Sequence, residues 1–239
     1  MIQPLIEAVD IVKVLGSGAG QVQALKGVSL ALHGKELTLL MGPSGSGKTT
    51  LLSVLGCMLS PTEGTVRVLG QSTQGLAAEE LAEVRRKNIG FIFQSYHLFP
   101  TLNVRDNIQL VLDVRGERSA AAVSKAKDAL ATVGLAHKAA ALPRELSGGE
   151  QQRVAIARAI VSNPSVLLAD EPTSALDRQN GEVVMTILAQ IAKQSSRGVL
   201  IVTHDPRMLP FADRIIRIED GRIIGEDRDG ARLHDLAEV

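Results

Sequence analysis

Three short apolar runs indicate strands that are buried on both faces. They cover residues 37–41, 166–169 and 199–202, and polar or turn residues bound each of them. A strand with apolar side chains at nearly every position is covered above and below, as in parallel sheets flanked by helices. The pattern predicts a fold of the α/β class with a mostly parallel sheet.

The remaining pattern predicts two additions to this sheet. Alternating runs within residues 5–32, separated by a glycine-rich loop, are typical of a small antiparallel β layer. Between about residues 95 and 145 the pattern is alanine-rich and helical. We therefore predict a single domain over residues 1–239, with an α/β core and β layer at about 1–94 and 161–239 and a helical subdomain at about 95–160.

Two local signals predict where elements end. The helix that begins near Ala120 is predicted to end at Gly134, because glycine is favoured just after a helix C-terminus. Residues 213–224 place apolar runs on both sides of Asp220-Gly221. An Asp-Gly pair in that setting favours a two-residue turn, so this segment is predicted to be a β-hairpin.

Composition narrows the class of protein. The 239 residues suffice for one α/β domain, and the equal numbers of basic and acidic residues, 26 each, do not indicate a nucleic-acid partner. The single cysteine, Cys57, excludes an internal disulfide. Apolar runs stay well below the roughly 18 residues of a membrane-spanning helix, and the start lacks the pattern of a secretory signal. We expect a chain that is soluble by itself.

A glycine-rich loop after the first apolar run is the strongest chemical signal. It fits G-x-x-x-x-G-K-[ST] and precedes a helix-like run that starts at Thr50, which is the strand–loop–helix context of a phosphate loop. Glycines let backbone N–H groups turn towards a phosphate, and the new helix adds its positive end. A plain Gly/Ser turn would require neither the lysine nor the threonine. The loop reads Gly42-Pro43-Ser44-Gly45-Ser46-Gly47-Lys48-Thr49.

Two adjacent carboxylates follow the second apolar run. Asp170 can bind the Mg²⁺ shell, and Glu171 can orient or deprotonate an attacking water. A plain surface turn is the alternative, but it does not call for two acids directly after a buried strand. The pair therefore favours hydrolysis of a bound nucleotide.

A second glycine-containing segment, Ser147-Gly148-Gly149-Glu150, has two compatible interpretations. Serine followed three residues later by glutamate is a capping box that starts a helix. That interpretation does not explain the glycines, which cost about 1 kcal/mol each in a helix. Glycines also leave room for a phosphate at the positive end of the helix.

Taken in order, these motifs resemble the ATP-binding cassette (ABC) ATPase family, a branch of the P-loop NTPases. The resemblance also includes Gln94 after a strand, Asp177 at the end of Ser174-Ala175-Leu176-Asp177, and His204 after a strand, and it extends from about residue 5 to 225. It implies that ATP is hydrolysed in a homodimer that closes around two ATP molecules. In this family, the segment at residues 147–149 contacts the nucleotide held by the second copy.

The resemblance also implies a role for each matching residue. Gln94 contacts Mg²⁺ and the attacking water, Asp170 binds the metal, Glu171 is the base and His204 touches the γ-phosphate. The implied catalytic set is Lys48, Gln94, Glu171 and His204, and the implied magnesium set is Thr49, Gln94 and Asp170. The implied nucleotide-binding set is Leu15, Gly42, Pro43, Ser44, Gly45, Ser46, Gly47, Lys48, Thr49, Thr50, Ser147, Gly148, Gly149, Glu150 and Asp177.

The segment around Gln94 is most similar to the branch that serves lipoprotein release, macrolide or peptide efflux and related envelope exporters. This resemblance implies an integral membrane permease that docks near Gln94, Tyr96 and Phe99, a periplasmic adaptor reached through the permease, and a peripheral place on the cytoplasmic face of the inner membrane. The cell-division member of the same branch is an alternative.

Functions without a membrane partner are disfavoured. DNA-repair members insert a long coiled coil between the two nucleotide motifs, and no heptad run lies between Lys48 and Asp170. Translation members fuse two cassettes, whereas this chain has one. A regulatory cassette that does not hydrolyse ATP is opposed by the presence of Glu171 and His204.

Leu15 departs from the family, which usually places an aromatic residue there to stack on adenine. Stacking geometry is worth about 0.5 to 1.5 kcal/mol, so a Leu15→Tyr variant should bind ATP about two- to tenfold more tightly. Titration of the two proteins with ATP and GTP measures this difference and the choice of base. Equal affinities would show that the alignment at Leu15 or the stacking argument is wrong.

Overall fold

The computed structural model describes residues 3–194 and 196–228. The predicted domain also includes residues 1–2, 195 and 229–239, which lie outside the described residues. Strands and helices alternate along most of the chain, as expected for the α/β class. The elements are β1 (Ile6–Leu15), β2 (Val22–Leu32), β3 (Glu36–Met41), α1 (Lys48–Leu55), β4 (Glu63–Val68), β5 (Gln71–Ser72), α2 (Ala78–Asn88), β6 (Ile89–Ile92), α3 (Val104–Val114), α4 (Ala120–Thr132), α5 (Gly148–Ile160), β7 (Val166–Asp170), α6 (Arg178–Gln194), β8 (Gly198–Thr203), β9 (Arg214–Glu219) and β10 (Arg222–Asp227).

A six-stranded sheet forms the centre of the fold. Its strand order is β10-β9-β3-β8-β7-β6, and every neighbouring pair is parallel except β9 and β10. Along β7, Leu167 and Ala169 belong to one buried core, and Val166 and Leu168 belong to the other. The prediction of a mostly parallel sheet with strands buried on both faces is confirmed.

Helices cover one face of this sheet. α3, α4 and α5 pack on one another, and α5 also contacts β6 and α6. α4 is followed by Gly134 at φ +73°, and the Leu135 N–H donates to the Leu130 carbonyl oxygen at 2.9 Å, which is a glycine-dependent helix end. The predicted inserted helices are therefore present, while the boundaries of the subdomain stay a prediction.

An antiparallel sheet covers the opposite face together with α1. Its order is β2-β1-β4-β5, which confirms the predicted N-terminal β layer. The predicted hairpin is also present, because β9 and β10 pair around Asp220 at φ +44° and Gly221 at φ +71°. Two consecutive residues with positive φ make the tight turn that an Asp-Gly pair favours. Within the described part of the chain, none of the helices is long and apolar enough to cross a membrane.

The topology brings distant polar segments together. Parallel strands end at the same edge of a sheet, and β3, β6, β7 and β8 run parallel. The phosphate loop follows β3, Gln94 follows β6, Glu171 follows β7 and His204 follows β8. Ligands of open α/β sheets bind at this carboxyl edge.

Candidate nucleotide site

The phosphate loop fits closely between neighbouring strands. Gly47 precedes α1 at φ +97°, and a Cβ atom at this position would lie 2.6 Å from the Ala24 carbonyl oxygen. A Cβ atom at Gly42 would overlap the Ile218 carbonyl oxygen. Only glycine fits at positions 42 and 47. Helix α1 begins immediately after Gly47, so its positive end lies at the cleft.

Lys48 spans the mouth of the loop. Its Nζ donates to the carbonyl oxygens of Gly42 at 2.8 Å and Pro43 at 2.7 Å. Burial lowers the pKa of Lys48, and the charges of Glu171 and Asp170 act in the opposite direction. The buried Ser46 hydroxyl has no hydrogen-bond partner among the described residues. A phosphate would suit these groups, because its oxygens can accept hydrogen bonds from the Lys48 ammonium and from the unpaired Ser46 hydroxyl.

Asp170 and Thr49 place two oxygen ligands side by side. The Thr49 hydroxyl donates to Asp170 Oδ1 at 3.3 Å. Burial raises the pKa of Asp170, and the charge of Glu171 adds to that rise, while Thr49 and Lys48 oppose it. A hydroxyl and a partly buried carboxylate suit Mg²⁺, which prefers oxygen ligands and usually binds together with phosphate groups. The donor set therefore fits the predicted metal.

Glu171 and His204 form a pair at the ends of β7 and β8. His204 Nδ1 lies 2.8 Å from Glu171 Oε1. With an ionised carboxylate and a neutral imidazole, Nδ1 carries the proton and donates, and Nε2 is then an acceptor. Glu171 adopts φ +44°, and its N–H donates to the Val202 carbonyl oxygen at 2.9 Å. Strain of this kind costs about 1–3 kcal/mol and clusters at functional sites.

Two neighbouring clefts share Glu171 and His204. The larger cleft has a volume of about 770 Å³, and the smaller one, of about 380 Å³, also contains Gln94. Gln94 is exposed there and belongs to the same constellation as the two predicted catalytic residues. The larger cleft is lined by Leu15, Val22, Gln23, Ala24, Pro43, Ser44, Gly45, Gly47, Lys48, Thr49, Thr50, Glu171, His204, Asp220 and Gly221.

The far end of the larger cleft is aliphatic. Leu15 and Val22 lie opposite each other in the β1–β2 pairing, and they are 37% and 63% exposed. Leu15 was predicted from the sequence to line the nucleotide site, whereas Val22, Gln23 and the Asp220-Gly221 turn were not. The strand alternation near Gly16 was the available signal for Val22. The turn was predicted as a hairpin, but its approach to the phosphate loop was not.

Ser147 starts α5 as the capping box predicts. The Glu150 N–H donates to Ser147 Oγ at 3.2 Å, and the Ser147 N–H donates to Glu150 Oε2 at 2.8 Å. The hydrogen bond from the Ser147 backbone is the main reason why the pKa of Glu150 is lowered. Residues 147–149 do not line the larger cleft of the described chain. The chain's own phosphate loop and this segment are thus not brought together.

The two glycines of this segment make close contacts within the chain. A Cβ atom at Gly148 would lie 3.0 Å from the Tyr96 hydroxyl, and one at Gly149 would overlap the side-chain amide of Asn180. Sequence reasoning explained the glycines by room for a phosphate, which stays a prediction. The structure adds a reason that no local pattern could show, because Tyr96 and Asn180 are distant along the chain.

Asp177 directly precedes the next helix, α6. Its carboxylate accepts from the Asn180 N–H at 3.0 Å and from Asn180 Nδ2 at 2.6 Å, and these bonds lower the pKa of Asp177. Asp177 is therefore a helix cap in the single chain. Asn180 joins this cap to Gly149, so the start of α6 and the start of α5 are held together.

The chain belongs to the ABC transporter family, whose sequence profile matches residues 25–174. The macrolide export ATP-binding/permease protein MacB of Shigella flexneri is 45% identical over 221 residues, which are 92% of this chain and 34% of that protein. MacB of Escherichia coli K12 is 44% identical over the same share of each chain. This chain thus spans about a third of the length of these curated relatives.

Solved structures agree with this family. The dimeric structure of a post-hydrolysis state of the ATP-binding cassette MJ0796, bound to ADP and Pi, is 38% identical and has a TM-score of 0.85, covering 93% of this chain and 98% of that one. CbiO1 of Clostridium perfringens, part of the ABC transporter complex CbiONQ, is 25% identical with a TM-score of 0.87, covering 98% and 92%. The predicted P-loop NTPase fold of the ABC ATPase type is confirmed.

The partly buried carboxylate of Asp170 makes the stability of the nucleotide-free protein depend on pH. Because its pKa is raised in the folded state, the folded protein loses stability as pH rises from the ordinary value of 3.8 through the raised pKa. Asp170→Asn removes this cost, so we expect a higher melting temperature than wild type at pH 7 and a difference that narrows in acid. Thermal unfolding across this pH range measures it.

Asp128→Asn, at an exposed position of α4, is the matched control and should show no such pH-dependent gain. Addition of Mg²⁺ and ATP should stabilise wild type more than Asp170→Asn, since the variant loses the charge of the predicted metal ligand. A variant that is less stable than wild type at pH 7 without nucleotide would contradict this account of Asp170.

Proposed function

We propose that the chain is the ATP-hydrolysing part of an ABC transporter, that it works as a homodimer around two ATP molecules, and that it drives a membrane permease. The observation that carries this proposal is the convergence of Lys48, Thr49, Glu171 and His204 on one cleft at the carboxyl edge of the sheet, where Thr49 also bonds to Asp170. Gln94 adjoins the same constellation through the smaller cleft.

Each group of residues in the cleft has its own role in ATP hydrolysis. Residues 42–50 bind the phosphates, with Lys48 exchanging its two carbonyl acceptors for phosphate oxygens. Thr49, Asp170 and Gln94 would hold Mg²⁺, and the ion would supply positive charge to the phosphate oxygens. Glu171 accepts the proton of the attacking water, and His204 orients Glu171 through the bond at Nδ1. Leu15 and Val22 contact the base.

The dimer supplies what the single chain does not bring to its own cleft. Residues 147–150 and Asp177 lie outside the larger cleft of their own chain, among the residues that the structure describes. In the proposed dimer, they complete the nucleotide site of the other copy, with the positive end of α5 facing a phosphate. The related MJ0796 cassette, which is dimeric in its post-hydrolysis state with ADP and Pi, supports this arrangement.

A groove beside Gln94 is the proposed docking site for the permease. It has a volume of about 540 Å³ and is mostly apolar. Phe99 lines it and is 50% exposed. Buried Asn107 fixes this position, because its Oδ1 accepts from the Phe99 N–H at 2.7 Å and its Nδ2 donates to the Phe99 carbonyl oxygen at 3.1 Å. Residues lining the groove include Phe91, Phe93, His97, Phe99, Leu110 and Val111.

The occupant we propose is a short helix of the permease, whose apolar face meets this groove. The names of the curated relatives, ATP-binding/permease proteins for macrolide export, favour an envelope exporter or mechanotransmission system over the cell-division alternative. The chain would then act at the cytoplasmic face of the inner membrane, and a periplasmic adaptor would be reached only through the permease. We propose no nucleic-acid partner.

Glu171→Gln tests the proposed base. Glutamine keeps the oxygen that accepts from His204 but cannot take a proton, so steady-state ATP hydrolysis should fall by about 10²- to 10⁴-fold. ATP binding should persist, and the variant should form a stable dimer with ATP in size-exclusion chromatography. Glu79→Gln, at an exposed position of α2, is the control and should hydrolyse ATP as wild type does. Turnover of Glu171→Gln near wild type would remove Glu171 from this role.

Phe99→Ala tests the docking groove. We expect less permease recovered with the tagged protein from detergent-solubilised membranes, because an exposed aromatic residue is lost from the contact, while ATP hydrolysis by the purified protein stays unchanged. Val123→Ala truncates another exposed apolar residue, on α4, and should leave recovery unchanged. Equal recovery from Phe99→Ala and Val123→Ala, measured by mass spectrometry, would place docking elsewhere.

A further inference from the structure

Arg158, near the C-terminal end of α5, holds the segment that follows Gln94. Its guanidinium donates through Nη2 to the Tyr96 carbonyl oxygen at 2.7 Å and through Nη1 to the His97 carbonyl oxygen. Two donors of one planar group thus bind two consecutive carbonyls. Lysine could not reproduce this arrangement, since it lacks the rigid fork.

The held segment has an unusual backbone. Tyr96 adopts φ +56° and His97 adopts φ +49°, and neither is glycine. Consecutive left-handed residues with side chains are disfavoured and persist where their surroundings hold them. The two bonds from Arg158 supply such a restraint on these two residues.

The side chain of Tyr96 reaches the opposite end of the same helix. Its hydroxyl is the nearest atom to the position of a Cβ on Gly148, at 3.0 Å, and Leu176 Cδ2 follows at 3.7 Å. Tyr96 therefore contacts the tip of α5 next to the segment that ends at Asp177. Tyr96 is not among the described residues that line the docking groove, whereas His97 and Phe99 are. The sequence analysis placed Tyr96 and Phe99 together at the docking site, but of these two only Phe99 lines the groove.

We propose that Arg158 is a positioning residue for the tip of α5: by holding the Tyr96–His97 backbone, it keeps the Tyr96 phenol against Gly148 and thereby fixes residues 147–149. This inference rests on the proposed function, in which that tip completes the nucleotide site of the second copy. A displacement of His97 and Phe99 at the docking groove would then move Tyr96, and Tyr96 would move residues 147–149 at the nucleotide of the other subunit.

The experiment compares Arg158→Lys with Arg115→Lys, both in the Glu171→Gln background. Arg115 is the matched control, because it also donates to a backbone carbonyl oxygen, that of Arg86, at 2.5 Å, but none of its hydrogen bonds among the described residues goes to Tyr96 or His97. We expect ATP-dependent dimerisation to weaken by about tenfold in Arg158→Lys, as one charge-assisted hydrogen bond is lost. Arg115→Lys should dimerise like the parent.

A second measurement separates positioning from damage to the fold. ATP affinity measured below the dimerisation concentration should stay within about twofold of the parent for both variants, because Arg158 does not line the nucleotide cleft. Arg158→Lys and Tyr96→Phe combined should weaken dimerisation by less than the product of their separate effects, since both act through the same contact.

The outcomes are distinguishable. If the Glu171→Gln parent itself fails to dimerise with ATP, the proposed function is wrong. If the parent dimerises and Arg158→Lys matches Arg115→Lys, the inference about Arg158 is wrong and the proposed function stands. Loss of ATP affinity together with dimerisation in Arg158→Lys would also overturn the inference, because it would show a general structural role.

Discussion

The central strands β3, β7 and β8 are buried on both faces, and this burial determines where polar chemistry can lie. A charged side chain within these strands would have to leave water without a partner, which is costly. The charged residues therefore occupy the strand ends, where the chain leaves the sheet. Because the strands are parallel, those ends meet at one edge, and the phosphate loop, Glu171 and His204 follow from that single constraint.

The same burial shapes the electrostatics of the site. It lowers the pKa of Lys48 and raises the pKa of Asp170, so the surroundings disfavour the charged form of both groups. The proposed function needs each of them as an ion. A triphosphate would offer opposite charge to Lys48 and its metal would do so to Asp170, and both would favour the ionised forms.

Much of this site could be predicted from the sequence because its signals are local. The phosphate loop, the Asp170–Glu171 pair, the capping box at Ser147 and the Asp-Gly turn each occupy a few consecutive residues, and physical chemistry ties each pattern to one geometry. The order of the strands in the sheet was not predicted, since pairing partners leave no local mark.

The contacts that could not be predicted all join segments far apart in the chain. Gly149 is needed because Asn180 packs on it. Tyr96 was grouped with the docking residues because of its place in the sequence, but the left-handed backbone held by Arg158 directs its phenol to α5. Each depends on tertiary approach.

The turn between β9 and β10 has a consequence for how the protein is made. The Gly221 N–H donates to the Ser46 carbonyl oxygen at 3.1 Å, and the Ile218 carbonyl lies directly against Gly42. The phosphate loop is thus completed by strands that are synthesised after all the other described elements. A nascent chain on the ribosome carries the loop sequence long before it has this support, so the complete nucleotide site can form only after the β9–β10 turn has been synthesised.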